Sequence, residues 1–113
     1  MEIAVDLIGQ DIKRIKLAGR LDMKGSMDVE PRFTALTATN GGSFIVDMAG
    51  VDFIASIGMR ILLSCAKANA ARGGRLVLAG MQPMVREALE MAGIDSLIPF
   101  HDDEQAALAS LTG

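Results

Sequence analysis

Few side chains in this sequence have the means to do chemistry, and Ser56 is set apart among them. It lies inside the stretch FIVDMAGVDFIASIGMRILL (residues 44–63), between Ala55 and Ile57 and just before Gly58. An apolar run with an acidic end, Phe44-Ile45-Val46-Asp47, leads into a loop, and helical periodicity follows from Met59. A lone hydroxyl at a strand-loop-helix junction can serve as nucleophile, helix cap or phosphate acceptor. A hydrolase elbow needs glycine two residues before its serine, and this chain has Ile54 there. His101, the one histidine, falls at the start of the last predicted helix with nothing to bring it to Ser56, which leaves a Ser-His-acid triad unsupported. Asp47 invites comparison with the phosphoacceptor of a receiver domain. A receiver also needs an acidic pair after its first strand and a late lysine for Mg²⁺ and phosphoryl charge. Gly9-Gln10-Asp11 follows the first strand and no lysine lies beyond Lys67, so Asp47 is read as fixing its loop through backbone hydrogen bonds. One His and one Cys without paired spacing offer no metal site, and no Gly-rich phosphate-binding pattern is present. The expectation is a protein that is not an enzyme and carries no cofactor.

Two roles for Ser56 stay open on these grounds. Serine is a favoured N-cap, and a helix starts here. The same position suits a phosphate, which meets free backbone N–H groups and the positive end of the helix dipole. It would add about −2 charge to an apolar surface without disturbing the fold.

The elements that position Ser56 follow from hydropathy patterning. Ile3, Val5 and Leu7 alternate with polar or small residues, Gly9-Gln10-Asp11 is turn chemistry, and Ile12, Ile15 and Leu17 resume a strand, giving a hairpin that ends in Gly19-Arg20-Leu21-Asp22. Val29, Phe33 and Leu36 mark a helix with Ser26 or Asp28 as its cap, Pro31 in its first turn and Asn40-Gly41-Gly42 as a left-handed stop. Residues 43–48 read as a buried strand. Ile57, Ile61, Ser64, Cys65 and Ala68 mark one face of the helix after Ser56, which stops at Arg72-Gly73-Gly74. Leu76-Val77-Leu78 is a further strand, Pro83 opens a helix closed by Gly93, and Leu97-Ile98 is a short edge strand. Asp102 with Gln105 forms a capping box for the last helix. Strands alternating with helices imply an α/β domain: an N-terminal hairpin, then β-α-β-α-β-α units, with a mixed, mostly parallel sheet of four to five strands and helices mainly on one face. Function in such a sheet gathers beyond the carboxyl ends of the strands, which is where Asp22 and Ser56 fall.

The bulk numbers agree. With 113 residues, half of them apolar and 22% charged, the chain is one globular domain. A net charge of −3 argues against a nucleic-acid partner. No apolar run approaches the roughly 20 residues of a membrane span, a single cysteine makes no internal disulfide, and Met1 leads into strand patterning rather than a signal peptide. A cytoplasmic protein is expected.

GRLD at 19–22, IVDMAGVDFIASIGMRILL at 45–63 and GGRLVLAG at 73–80 together resemble the STAS domain of bacterial anti-sigma factor antagonists, in register over residues 1–113. By position, the family's phosphorylatable serine falls on Ser56, its glycine on Gly58 and its two acids on Asp22 and Asp47. Many members carry Asp before that serine and Ser or Thr after it, where this chain has Ala55 and Ile57. The resemblance implies a partner switch. The unphosphorylated protein binds an anti-sigma factor, a serine kinase of the histidine-kinase-like ATPase fold, and so frees a sigma factor. Phosphorylation ends the complex and a PP2C-type phosphatase restores it. Around Ser56, the apolar residues Ile54, Ala55, Ile57, Met59 and Met81, with Gly58, Asp22 and Met23, would form the partner-binding patch. The alternative is a constitutive STAS interaction module, a subunit of a lipid-transport or sensory complex, in which Ser56 only caps its helix.

Overall fold

A computed structural model of the chain describes residues 1–112. Its elements run β1 (Glu2–Gly9), β2 (Ile12–Leu21), α1 (Met23–Thr37), β3 (Ser43–Ile54), α2 (Ser56–Ala71), β4 (Arg75–Ala79), α3 (Pro83–Met91), a 3₁₀ turn (Ile94–Ser96), β5 (Phe100–His101) and α4 (Glu104–Thr112). The sheet has five strands in the order β1-β2-β3-β4-β5, with β1 antiparallel to β2 and all other pairs parallel.

Period-two alternation divides the apolar residues between two faces. Ile15, Leu17, Val46, Met48 and Leu78 join Phe33, Leu62 and Leu89 in the main core under α1, α2 and α3. Ile12, Ile45, Val77 and Ala79 form a smaller cluster with Ala107 of α4 on the opposite face. Because β3 feeds both clusters, its sequence is apolar without interruption at its start. Arg14 fastens α4 through ion pairs to Glu104 and, at 3.0 Å, to Asp6 of β1.

Several local expectations are corrected. α1 begins before Ser26 and Asp28: Asp22 is the cap, its Oδ1 accepting the Gly25 N–H at 2.8 Å, and Ser26 is buried inside the helix. Pro31 therefore lies in the helix interior, where it has no N–H to offer the Met27 carbonyl. Gly41 and Gly42 are not left-handed. α1 stops at Ala38 in right-handed geometry, and Gly41 instead lets the Arg72 carbonyl approach to within 2.2 Å of where a Cβ would stand. α2 does stop at a left-handed glycine, Gly73, and α3 is likewise followed by left-handed Gly93. The buried face of α2 comprises Ile61, Leu62, Cys65 and Asn69, with Ser64 exposed. Asn69 donates to the carbonyls of Asn40 (2.6 Å) and Gly42 (3.0 Å), tying the end of α2 to the entry of β3. Leu97-Ile98 is not a strand, because Ile98 N closes a turn on Ile94 O and pairing begins only after Pro99. Asp103 rather than Asp102 caps α4, accepting Ala106 N at 2.8 Å, while Asp102 is engaged by Arg86. Leu7 faces outward.

Candidate functional site

The register of β2 on β3 positions the site. Leu21 pairs with Ile54 at the carboxyl ends of both strands, and Ala55 N donates to Leu21 O at 2.9 Å. Asp22 and Ser56 therefore leave the sheet side by side along one edge, as expected for the two acid and hydroxyl positions. The glycine two residues after the serine has a packing reason. A Cβ on Gly58 would stand 3.1 Å from both Leu21 Cβ and Ile54 Cγ1, so glycine lets the first turn of α2 sit close on that strand pair without displacing either side chain.

Ser56 is exposed and is the first residue of α2; the cap position belongs to Ala55, which has no side chain to cap with. The expectation that Ser56 caps the helix is thus corrected. The first hydrogen bond of the helix runs from Met59 N to Ala55 O at 3.2 Å, which leaves the N–H groups of the first turn without helical acceptors. Such an end favours an anion, and Ser56 Oγ is the atom on which a phosphate would be carried into it.

Beside it, the Gly25 N–H holds the Asp22 carboxyl below the usual carboxylate range, with the charge of Arg20 adding to the effect and desolvation opposing it. Arg20 Nε lies 3.7 Å from Asp22 Oδ2, and the same guanidinium covers the Phe53 ring at 4.3 Å. Asp22→Ala should lower the thermal midpoint, and Asp22→Asn, which keeps an oxygen acceptor for Gly25 N, should recover part of the loss. Since the folded-state pKa is depressed, the carboxylate's stabilisation is fully present above the ordinary value of 3.8 and is lost as pH falls through the folded value. The gap between native chain and Asp22→Asn therefore narrows below about pH 3.8, which denaturation at neutral and acidic pH measures.

The apolar surroundings differ from the expected set. Ile54 and Gly58 are buried and build the edge from inside, while Ala55, Ile57, Met59 and Met81 are half-buried. Met23 is 68% exposed, and with it stand residues that sequence reasoning missed: Met27 (60%), Met84 (79%) and Phe53 (39%). Met23 and Met27 are four apart on α1, a spacing that was available as a signal. Phe53 was hidden because β3 runs on to Ile54, so that Asp47 lies within the strand, its Oδ1 accepting Ala49 N at 3.0 Å. Met84 flanks a cleft of about 140 Å³ between the end of β3 and α3, and Gln82 anchors that helix by donating to Ala49 O at 2.9 Å. His101 is on β5, hydrogen-bonded to Ser110, and plays no part at this edge. Among the described residues no three His, Cys, Asp or Glu side chains gather as a metal site, and no helix is long and apolar enough to cross a membrane.

A hairpin-led α/β sheet with a serine at a helix start on its strand-carboxyl edge defines a class of small domain. The family model for the STAS domain matches residues 7–107, and the chain belongs to that family. It is 30% identical over 94 residues to a Bordetella bronchiseptica protein named as an anti-sigma factor antagonist, BtrV, covering 83% of this chain and 81% of that one. An anti-sigma F factor antagonist of Paenibacillus polymyxa is 26% identical over 98 residues, covering 86% and 84%. Among solved structures, the anti-sigma factor antagonist SpoIIAA in its unphosphorylated form shares the fold, with TM-score 0.79 at 19% identity over 99% of this chain and 97% of that one. SpoIIAA of Bacillus has also been solved in a phosphorylated form.

Proposed function

We propose that the chain is an anti-sigma factor antagonist that binds an anti-sigma factor through the strand-carboxyl edge and is switched off by phosphorylation of Ser56. The observation that carries this reading is the exposed Ser56 on an uncapped helix start, at the paired ends of β2 and β3 where Met23 and Phe53 face outward, with exposed Met84 lining the adjoining cleft and Met27 one turn along α1. Flexible, polarizable methionines suit a surface that must fit a partner and release it. Asp22, Met23, Ala55, Ile57, Met59 and Met81 contribute the nearer part of the patch, and Ile54 and Gly58 support it from beneath. The partner is a serine kinase of the histidine-kinase-like ATPase fold. It transfers the γ-phosphoryl of ATP to Ser56 Oγ, releasing ADP and the hydroxyl proton, and a PP2C-type phosphatase removes the phosphate by hydrolysis. The chain works in the cytoplasm by binding rather than by catalysis, and residues 1–113 are one such domain. The names of the Bordetella bronchiseptica and Paenibacillus polymyxa relatives, both anti-sigma factor antagonists, support the class of partner.

Incubation with a cognate anti-sigma kinase and Mg-ATP should add one phosphoryl group to the intact mass, mapped to Ser56, and none to Ser56→Ala. A chain that binds such a kinase but stays unmodified would sink the switch and leave the constitutive interaction module.

A further inference from the structure

The edge of the sheet opposite β1 is only partly closed. β5 pairs with β4 at Leu78 and Ala79, and the bonds crossing there run from Leu78 N to Pro99 O (3.0 Å) and from Gly80 N to His101 O (3.1 Å). Backbone groups two residues apart on a strand point the same way, so the Leu76 N–H and C=O also face this edge. The segment that would answer them is turned aside. Ile98 N is committed to Ile94 O at 2.8 Å, and Pro99 has no N–H to give. Among the described residues no hydrogen bond crosses this edge to Leu76, although the residue is only 5% exposed. Unpaired backbone groups at a strand edge are a template for another strand.

A groove of about 330 Å³ lies along this edge. Ala66 and Ala70 of α2 wall it on one face of the sheet, Ser110 of α4 on the other, and Leu97 and Pro99 close one end. The charged and titratable groups lining it are Arg75 and His101, with no carboxylate among them. Arg75 Nη2 is fixed by donating to Ser110 O at 3.0 Å.

We propose that this groove takes an extended, acidic peptide segment of a partner protein, which adds to β4 as a short strand in line with β5. Main-chain bonds to Leu76 hold it, small apolar side chains face Ala66 and Ala70, and alternate carboxylates face Arg75 and His101. The free edge from Gly74 to Val77 is about 13 Å long at 3.3 Å per residue, enough for three or four peptide residues. Arg75 pairs with Ser43 at the start of β3, whereas Ser56 follows its end at Ile54, so the groove lies at the other end of the sheet from the Ser56 edge. The two surfaces can be occupied together, and this inference does not depend on the phosphorylation switch.

The probe is an acetylated and amidated Val-Glu-Val-Glu-Val peptide, titrated into the isotope-labelled full chain by NMR. Shifts should centre on the amides of Arg75, Leu76 and His101, with exchange of the Leu76 amide slowed in the complex. Methylating the peptide nitrogens that face β4 should weaken binding roughly ten-fold or more, because each removes a donor and leaves an acceptor unmatched. Ala70→Trp, at an exposed position, should block the groove; Arg75→Glu should weaken the acidic peptide and favour its Lys-for-Glu counterpart. Equal binding of methylated and parent peptides would overturn the proposal, as would shifts confined to other elements. Strong exchange protection of Leu76 in the free monomer would do the same, and so would concentration-dependent self-association that shifts Leu76 without peptide, since it would give the edge to a second copy.

Discussion

Gly25→Ala is expected to destabilise the domain by about 3 kcal/mol, seen as a thermal midpoint about 12 °C lower. A Cβ at this position would stand 1.9 Å from the Arg20 carbonyl oxygen, 3.1 Å from its carbon and 3.3 Å from Asp22 Oδ1. The obstacle is backbone, so no side-chain rotation relieves it. α1 cannot retreat cheaply either. Asp22 grips its first turn twice, through Oδ1 to Gly25 N at 2.8 Å and through its carbonyl to Ser26 N at 2.9 Å, while Val29 and Phe33 are sealed in the core. Gly73→Ala is the informative control. Gly73 has φ +85° with nothing within 4 Å of a new Cβ, so alanine there meets only the left-handed penalty of about 1 kcal/mol. Equal losses for the two variants, measured by thermal and denaturant unfolding, would show that the contact between α1 and the end of β2 is soft. The same close approach sets where Met23 and Met27 emerge, so a shifted α1 would also blunt the docking surface.

What was legible in the sequence was whatever local patterning decides. Alternating apolar residues marked β1, apolar residues resuming after the turn at Gly9-Gln10-Asp11 marked β2, the uninterrupted run Leu76-Val77-Leu78 marked β4, and the order of strands and helices implied the parallel sheet behind its hairpin. The stop at Gly73 was visible because a left-handed turn wants glycine. What stayed hidden was settled by contacts between distant residues. Asp22, Ser26 and Asp28 are all competent caps; the choice of Asp22 rests on α1 folding tightly onto Arg20, which no local signal carries. β3 continues past Asp47 because Gly50, Val51, Phe53 and Ile54 find partners in β2, though β4 has already ended. Ser56 and Asp22 were identifiable by type and place, whereas Met27 carried only its spacing from Met23 and Met84 carried no signal. A methionine fills a core or a surface equally well: Met48 on the inner face of β3 is buried, while Met27 on α1 faces out.

Phosphoserine at position 56 is expected to weaken binding to the anti-sigma factor by about 100-fold or more, with the thermal midpoint of the free domain unchanged or slightly raised. The two halves of this expectation rest on different surroundings of the same dianion. Within the domain, the phosphate meets the uncapped start of α2, whose free N–H groups and dipole favour it by roughly 0.3–1 kcal/mol. Against a partner it must give up water beside Met23 and Phe53, a cost larger than the roughly 0–1 kcal/mol that an exposed ion pair with Arg60, one turn on along α2, would return. Arg20 is already shared between Asp22 and the Phe53 ring, and the ionised Asp22 adds charge of the same sign. A net penalty of about 3 kcal/mol, modest for burying a charged group, already gives two orders of magnitude. Calorimetric titration of both forms reads the affinity, and a melt of each reads the fold. Ser56→Ala should bind like the unmodified chain, because its hydroxyl caps nothing, and Ser56→Asp should fall between. Near-equal affinities for the two forms would remove Ser56 from the interface. A lower melting midpoint for the phosphorylated chain would trace lost binding to lost structure instead. A local switch requires the reverse pairing, in which the helix start accommodates the same charge that the interface rejects.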